Sequence, residues 1–252
     1  MKELAFGQFN LPVALLMLGA IVAAQRGRGL AAGALIAIGT FVKPYSLVLL
    51  PWLAWTLGWR PLALFLTMIG VGLLLPATSY GWSGNLFLLH EWYRTVSETT
   101  RPNLLAAENI SFASMWAKWL APGAAASALA VLSAIVAVAA GLAAIARRRS
   151  AKEPNYLEGA YFLVLVPLLS PQGWDYVLVI ALPAYVLILD RWAEMPHSWR
   201  FTAAVALFLT SFTIFDVLRR TLYTQSMLIG VVSVGAVLMA ACLLQLRWRA
   251  AA

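Results

Sequence analysis

The fold is decided by residues 121–146, which read APGAAASALAVLSAIVAVAAGLAAIA and end against Arg147, Arg148 and Arg149. A helix needs about 20 apolar residues to cross the hydrocarbon core of a bilayer, and this stretch is longer and carries no charge. Its many small side chains are typical of membrane helices that pack closely together. The stretch therefore predicts a transmembrane helix with a basic end.

Comparable apolar stretches recur along the chain of 252 residues, of which 62% are hydrophobic and 11% charged. Soluble domains are roughly 45–50% apolar and about 25% charged, so the composition excludes a cytosolic enzyme and a nucleic-acid-binding domain. The apolar stretches lie at 9–24, 30–42, 45–58, 61–79, 121–146, 156–170, 175–190, 201–218 and 226–246. We expect one all-α domain over residues 1–252: a polytopic transmembrane helical bundle with about eight or nine membrane segments, some short or broken.

The charge distribution predicts how this bundle is oriented. The net charge is +8, and the topology that best separates the charges places eleven of the 18 basic residues on one side and six on the other, with Lys43 unassigned. Because cytoplasmic loops carry the excess of lysine and arginine, this bias predicts a cytoplasmic C-terminus. We expect a multi-pass protein of the cell (inner) membrane whose active face is periplasmic, that is, extracytoplasmic.

The segment 30–58 allows two topologies. As a helix, residues 30–42 reach only about 20 Å, which is short of a hydrocarbon core near 30 Å. Either two short helices meet at Lys43-Pro44 as a hairpin, or one kinked helix spans once. The hairpin is favoured because Pro44 removes a helical hydrogen bond and a lysine beside it needs a polar environment.

The longest hydrophilic stretch, residues 80–119, forms an outer-face loop in this topology. Its apolar side chains recur at helical spacing: Leu86, Leu89, Tyr93 and Val96. This spacing predicts an amphipathic helix along the membrane surface, with Arg94 and Glu98 on its polar side. The helix is either a plain interfacial helix with ion pairs such as Arg94–Glu98, or the roof of a site for a charged headgroup.

Three further polar features interrupt the apolar pattern. Lys43 lies in an apolar run, so its ammonium group must snorkel to the interface, pair with another group, or contact an anion such as a phosphate. Asp175 follows a turn that contains Pro171 and Gly173, and it is either an N-terminal helix partner or a functional carboxylate. Asn10 lies at the start of the first apolar run and is either a helix cap or part of a site.

Taken in order, short motifs in the chain resemble glycosyltransferase family 87, the polyprenyl-phosphate-mannose-dependent mannosyltransferase-like membrane proteins of C-type glycosyltransferase architecture. The matching motifs are Gly7-Gln8-Phe9-Asn10, Gly27-Arg28 with Ala32-Gly33, Lys43-Pro44, Asn109-Ile110-Ser111, and Ser170-Pro171 with Trp174. Family members are usually longer, and an acidic residue in an outer loop of their N-terminal half is the expected base. The chain therefore resembles the C-terminal part of a member, and we expect it to transfer sugar poorly on its own.

The resemblance implies a hexosyltransferase that moves a mannose-like hexose from a polyprenyl-phosphate sugar to an envelope glycan or glycolipid, in contact with the lipid bilayer. It implies no cofactor and no nucleic-acid partner, and the two histidines and one cysteine form no pattern typical of a metal site. The implied donor- or substrate-binding residues are Lys43, Gln8, Asn10, Asn109, Ser111, Ser170, Trp174 and Arg94. The candidate catalytic residues are Asp175 and Glu98.

Two other classes of protein fit the same pattern. A small-solute or lipid transporter is suggested by the broken helices and the intramembrane lysine, although the sequence shows no repeated halves. A non-catalytic membrane assembly subunit is suggested by the resemblance to only part of a family member. Binding and transfer of a lipid-linked sugar would separate these classes from the enzyme.

Overall fold

The computed structural model describes residues 9–100, 102–147 and 154–250. Within these ranges the chain folds into helices and connecting loops, and no β-strand is present. The all-α prediction is therefore confirmed for this part of the chain. The α-helices are α1 (Asn10–Gln25), α2 (Gly29–Val42), α3 (Leu50–Leu57), α4 (Trp59–Leu74), α5 (Ala77–Thr100), α6 (Phe112–Leu120), α7 (Ala124–Ala146), α8 (Pro154–Leu169), α9 (Leu182–Asp190), α10 (His197–Ser211), α11 (Phe215–Ile229) and α12 (Val231–Arg249). Shorter 3₁₀-helices cover Pro44–Leu49, Asp175–Ala181 and Trp192–Glu194.

Apolar helices long enough to cross a membrane are present among the described residues. By length and composition, α7 and α12 each qualify alone. Two bent pairs qualify when each is counted as one broken span: α4 with α5, bent by 88°, and α10 with α11, bent by 94°. This part of the chain thus contains two to four candidate spans, and the count of about eight or nine segments stays a prediction.

The break at Lys43-Pro44 has the geometry of a hairpin. Residue 43 is extended (φ −151°, ψ 138°), as expected for a residue before proline, and a 3₁₀-helix starts at Pro44. The chain then runs back along α2. The evidence is that a Cβ on Gly29, at the start of α2, would lie 3.8 Å from the Cβ of Leu57, at the end of α3. Of the two alternatives for this segment, the hairpin is the one that the structure contains.

The helix α8 is the centre of the bundle. Every residue from Leu157 to Leu168 is buried, including Glu158, so this part of the helix is surrounded by other elements of the bundle. It packs against α1, α7, α12 and the first two 3₁₀-helices. A Cβ on Gly159 would lie 2.5 Å from Ile21 Cδ1, so α1 approaches α8 closely because that position has no side chain.

The two ends of the bundle differ in chemistry. One end, which we call the basic end, contains the side-chain contacts Asn155 to Gln25 and Arg247 to Glu158. The other end, which we call the site end, contains Asn10, residue 43 and residues 170–175, because α1 begins, α2 ends and α8 ends there. Four of the residues predicted to form the site, Asn10, Lys43, Ser170 and Asp175, therefore lie at one end of the bundle.

Candidate functional site

The first part of the site joins the start of α1 to the end of α2. The Lys43 Nζ donates a hydrogen bond to the Asn10 Oδ1 at 2.8 Å, and it lies 5.4 Å from the centre of the Tyr45 ring. Asn10 is fully buried, whereas Lys43 is half-buried. Two of the predicted donor-binding residues are thus in direct contact. Gln8, a third, lies outside the described residues.

The second part of the site joins two motifs that are far apart in the sequence. The Ile110 N–H donates to the Gly173 carbonyl at 2.7 Å, and the Asp175 N–H donates to the Glu108 carbonyl at 2.9 Å. Asn109 donates from its amide to the Pro171 carbonyl at 3.0 Å, across 62 residues of sequence. These bonds hold the loop 108–111 against the turn 170–175.

Asn109 and Ser111 are internal parts of this junction. Both are buried: the Asn109 amide also donates to the Asn103 carbonyl at 3.0 Å, and its oxygen accepts from the Ser111 N–H at 3.0 Å. The Ser111 hydroxyl accepts from the Ser114 N–H at 3.1 Å and so caps α6. These contacts shape the loop, and a role of either side chain in donor binding stays a prediction.

The turn 170–175 needs a glycine and displays aromatic rings. A Cβ on Gly173 would lie 1.8 Å from the Pro167 carbonyl oxygen, so any other residue would push the turn away from α8. Trp174 stacks on Tyr176 with ring centres 6.3 Å apart and planes 10° apart. Ser170 is half-buried at the end of α8. Ser170 and Trp174, both predicted to bind substrate, therefore share one turn at the site end.

Lys118 holds the loop 108–111 in place through hydrogen bonds, a role that was not predicted from the sequence. Its ammonium group donates to the carbonyls of Asn109 at 2.7 Å, Ala107 at 2.9 Å and Met227 at 3.2 Å. Burial lowers the pKa of Lys118 to about 8, and the nearby Glu108 carboxylate opposes that shift. In the sequence, a lysine in the last turn of a short helix is typical of a solvated partner of the helix dipole.

The lowered pKa of Lys118 predicts a pH-dependent stability. Below pH 8 the Lys118 amine is protonated in both the folded and the unfolded chain, and burial of its charge destabilises the folded chain. Between about 8 and 10.5 the folded chain releases its proton first, so its stability rises with pH. The melting temperature of the parent in detergent should therefore increase relative to that of Lys118→Met over this range. If the melting temperatures of the parent and Lys118→Met differed by the same amount at pH 7 and at pH 10, the prediction would be contradicted.

Asp175 is held by contacts on both carboxylate oxygens. Its Oδ1 accepts from the Tyr176 N–H at 2.8 Å, and its Oδ2 accepts from the Tyr223 hydroxyl at 3.0 Å. The first contact is that of an acid at the start of a helix, as one of the two sequence interpretations expected. The second contact comes from α11, and the sequence analysis did not single out Tyr223. The carboxylate is half-buried and held in one orientation.

A pocket of about 450 Å³ lies next to Asp175. It is formed where the 3₁₀-helix Asp175–Ala181 faces the bend between α10 and α11. Its polar lining includes Asp175, Tyr176, Thr210, Thr213 and Asp216. Asp216 is a second carboxylate that the sequence analysis missed. Within the described ranges, no group of three or more His, Cys, Asp or Glu side chains could hold a metal ion.

Arg94 and Glu98 lie on the exposed surface of α5. Arg94 pairs with Glu91 and, at 4.0 Å, with Glu98, so the ion pair expected for an interfacial helix is present. The end of α5 reaches the turn 170–175, where the Gln172 amide donates to the Thr99 hydroxyl at 3.0 Å. The helix therefore adjoins the site, while the described contacts of Arg94 and Glu98 are with one another and with Glu91.

Comparison with known proteins adds one finding. A family model described as Glycosyltransferase family 87 matches residues 1–171 of the 252 residues. The matched range includes Asn10, Lys43 and Asn109, and it ends at Pro171, four residues before Asp175. No curated protein and no solved structure matches the chain.

Proposed function

Because the chain belongs to glycosyltransferase family 87, we propose that this membrane glycosyltransferase moves a mannose-like hexose from a polyprenyl-phosphate sugar to an envelope glycan or glycolipid. In this proposal the site end faces the extracytoplasmic side of the inner membrane. The observation that carries the proposal is the contact between Lys43 and the buried Asn10 at the end of an apolar hairpin.

The Lys43 ammonium group suits the phosphate of such a donor. A lysine ammonium group in an apolar setting is stabilised by polar and anionic partners, and the Asn10 oxygen is one such polar partner. The bond to Asn10 fixes the position of the ammonium group, and a phosphate oxygen that approaches it would share that charge. As the sugar leaves the phosphate, the developing negative charge would be stabilised by the same ammonium group.

An apolar groove next to Asn10 supports a donor that is attached to a lipid. The groove has a volume of about 330 Å³ and lies between α1 and α9. It begins at Leu11, next to Asn10, and continues to Ile21, which is about 15 Å along the helix axis. A prenyl chain in this groove would place its phosphate near Lys43. A water-soluble nucleotide sugar has no apolar chain that could bind in such a groove.

On the acceptor side, we assign the base to Asp175, with Glu98 as the weaker candidate. The acceptor hydroxyl oxygen attacks the anomeric carbon of the sugar, and its proton passes to the carboxylate. The bond between that carbon and the phosphate oxygen breaks, and the prenyl phosphate leaves. The stacked pair Trp174–Tyr176 offers an aromatic face to a sugar ring, and Ser170, Asn109, Ser111 and Arg94 complete the proposed substrate-binding set.

Donor binding by variants of Lys43 tests the proposal. In lipid nanodiscs, Lys43→Met should bind a polyprenyl monophosphate about 10- to 100-fold more weakly than the parent, because a hydrogen bond to a charged group is lost. Lys43→Arg should recover only part of the affinity, since a planar guanidinium replaces a compact charge. Native mass spectrometry with a titrated lipid measures the affinity.

The control is Arg60→Met, which removes an exposed cation at the opposite end of the bundle. Its affinity for the polyprenyl monophosphate should equal that of the parent. Equal binding by Lys43→Met and the parent would contradict the assignment of Lys43. Tight binding of the donor without any transfer would instead favour a non-catalytic assembly subunit.

A further inference from the structure

The pocket next to Asp175 has the composition of a carbohydrate site. Its charged lining residues, among those described, are the two carboxylates Asp175 and Asp216. Thr213 adds a hydroxyl group, and Phe215 and Tyr176 add aromatic rings. We propose that this pocket binds a neutral sugar ring of the acceptor, with Asp216 as a binding residue. The inference rests on the proposed function, which assigns the base to Asp175.

The chemistry of the lining selects a polyhydroxylated, uncharged ligand. Sugar hydroxyls donate to carboxylates, and hydrogen bonds to charged acceptors are about twice as strong as those between neutral groups. The apolar face of a sugar ring packs on aromatic side chains, and Phe215 is held edge-on against Tyr223 with ring centres 6.1 Å apart. Two carboxylates in one pocket repel an anionic sugar. A uronic acid or a phosphorylated sugar is therefore a poor ligand for this pocket.

The size of the pocket favours a sugar over a metal ion. Sites for small organic molecules have volumes of roughly 300–1,000 Å³, and this pocket has about 450 Å³. Calcium needs six to eight oxygen ligands at about 2.3–2.6 Å, which requires a much smaller cage of oxygens. The pocket also has an apolar wall that contains Leu178, Ile214 and Val232. Apolar side chains give no ligand to a cation but do contact a sugar ring.

The position of Asp216 explains how the acceptor would reach the base. Asp216 lies in the first turn of α11, before a break in that helix at Arg219 (φ 57°, ψ 172°), and Tyr223, which follows the break, donates to Asp175. The segment Phe215–Ile229 therefore supplies both a lining carboxylate and the contact that orients the second carboxylate. A sugar bound to Asp216 would occupy the pocket that Asp175 lines.

Saturation-transfer NMR on the full chain in nanodiscs tests the proposal with methyl α-mannoside, methyl α-glucoside and methyl glucuronide. The two neutral glycosides should bind the parent about tenfold more tightly than the glucuronide, because a bound carboxylate would be repelled by the carboxylates of the pocket. Asp216→Asn and Phe215→Ala should each weaken binding of the neutral glycosides about tenfold, the equivalent of one good hydrogen bond or ring contact. Asp190→Asn, which changes an exposed carboxylate at the basic end, should bind like the parent.

Three outcomes would overturn the inference: equal binding of neutral and anionic glycosides, unchanged binding by Asp216→Asn, or loss of the glycoside signal on addition of calcium alone, which would indicate a cation site. The donor titration separates this inference from the proposed function. Asp216→Asn should bind the polyprenyl monophosphate like the parent, and Lys43→Met should bind the glycosides like the parent. If the protein bound the glycosides but not the polyprenyl monophosphate, the sugar pocket would be supported and the proposed lipid-phosphate donor would be contradicted.

Discussion

Replacing Arg247 with methionine should lower the free energy of unfolding by about 3–5 kcal/mol, because it removes one partner of a buried ion pair. Arg247 is 1% exposed and Glu158 is 3% exposed. The Arg247 Nε and Nη2 atoms both lie 2.9 Å from the Glu158 Oε1. The pair links α12 to the central helix α8, so the loss should affect the whole bundle. Denaturant titration in mixed micelles measures the effect.

A matched control lies two residues further along α12. Arg249 is exposed and donates to the Glu194 carbonyl, and Arg249→Met should cost less than about 1 kcal/mol, as for other surface contacts. The double variant Glu158→Leu, Arg247→Met should recover most of the lost stability, because an apolar pair of similar size avoids the desolvation cost. An Arg247→Met protein as stable as the parent would show that Glu158 does not depend on this cation.

The sequence predicted the class of the fold and the helix break after residue 43. Apolar runs such as 121–146 specify helices in a membrane protein, and Pro44 specifies the break after residue 43, because these effects are local. Which helices lie at the centre of the bundle is not determined by such local effects. Lipid and protein interior are about equally apolar, so composition does not reveal that α8 is central while α7 is largely exposed.

The site was predicted as separate motifs, and the contacts between motifs were not. No local pattern shows that Lys43 meets Asn10, 33 residues earlier, or that Asn109 meets Pro171. Tyr223 was missed because it lies between the apolar runs 201–218 and 226–246, where polar residues are common. Asp216 had a signal of its own, because it is an acid inside the apolar run 201–218. Glu158 had a readable signal, since an acid inside the apolar run 156–170 requires a partner. Only the structure identifies that partner as Arg247.

Under the proposed function, Asp175→Asn is expected to lower the rate of sugar transfer by about 100- to 10,000-fold, the usual contribution of a general base. Asparagine keeps the shape of the side chain, and its one oxygen can still accept the hydrogen bond from Tyr223, whereas the bond from the Tyr176 N–H is lost. One such bond contributes about 1 kcal/mol, so the fold and donor binding should be retained. It cannot take the proton of the acceptor hydroxyl. Transfer of labelled hexose from the lipid-linked donor is measured in membranes in which the parent protein is active.

Two further variants separate a base from a carboxylate that only stabilises the turn. Tyr223→Phe removes the contact that orients Asp175 and should lower the transfer rate about tenfold, with little effect on donor affinity. Asp190→Asn should transfer like the parent, because that carboxylate lies at the basic end. If Asp175 were only a helix-start acid, Asp175→Asn would reduce thermal stability while its transfer rate per folded molecule stayed within about threefold of the parent, as expected when no catalytic proton transfer is lost. That result would assign the role of general base to another acid on the outer side, and Glu98 would be the first to test.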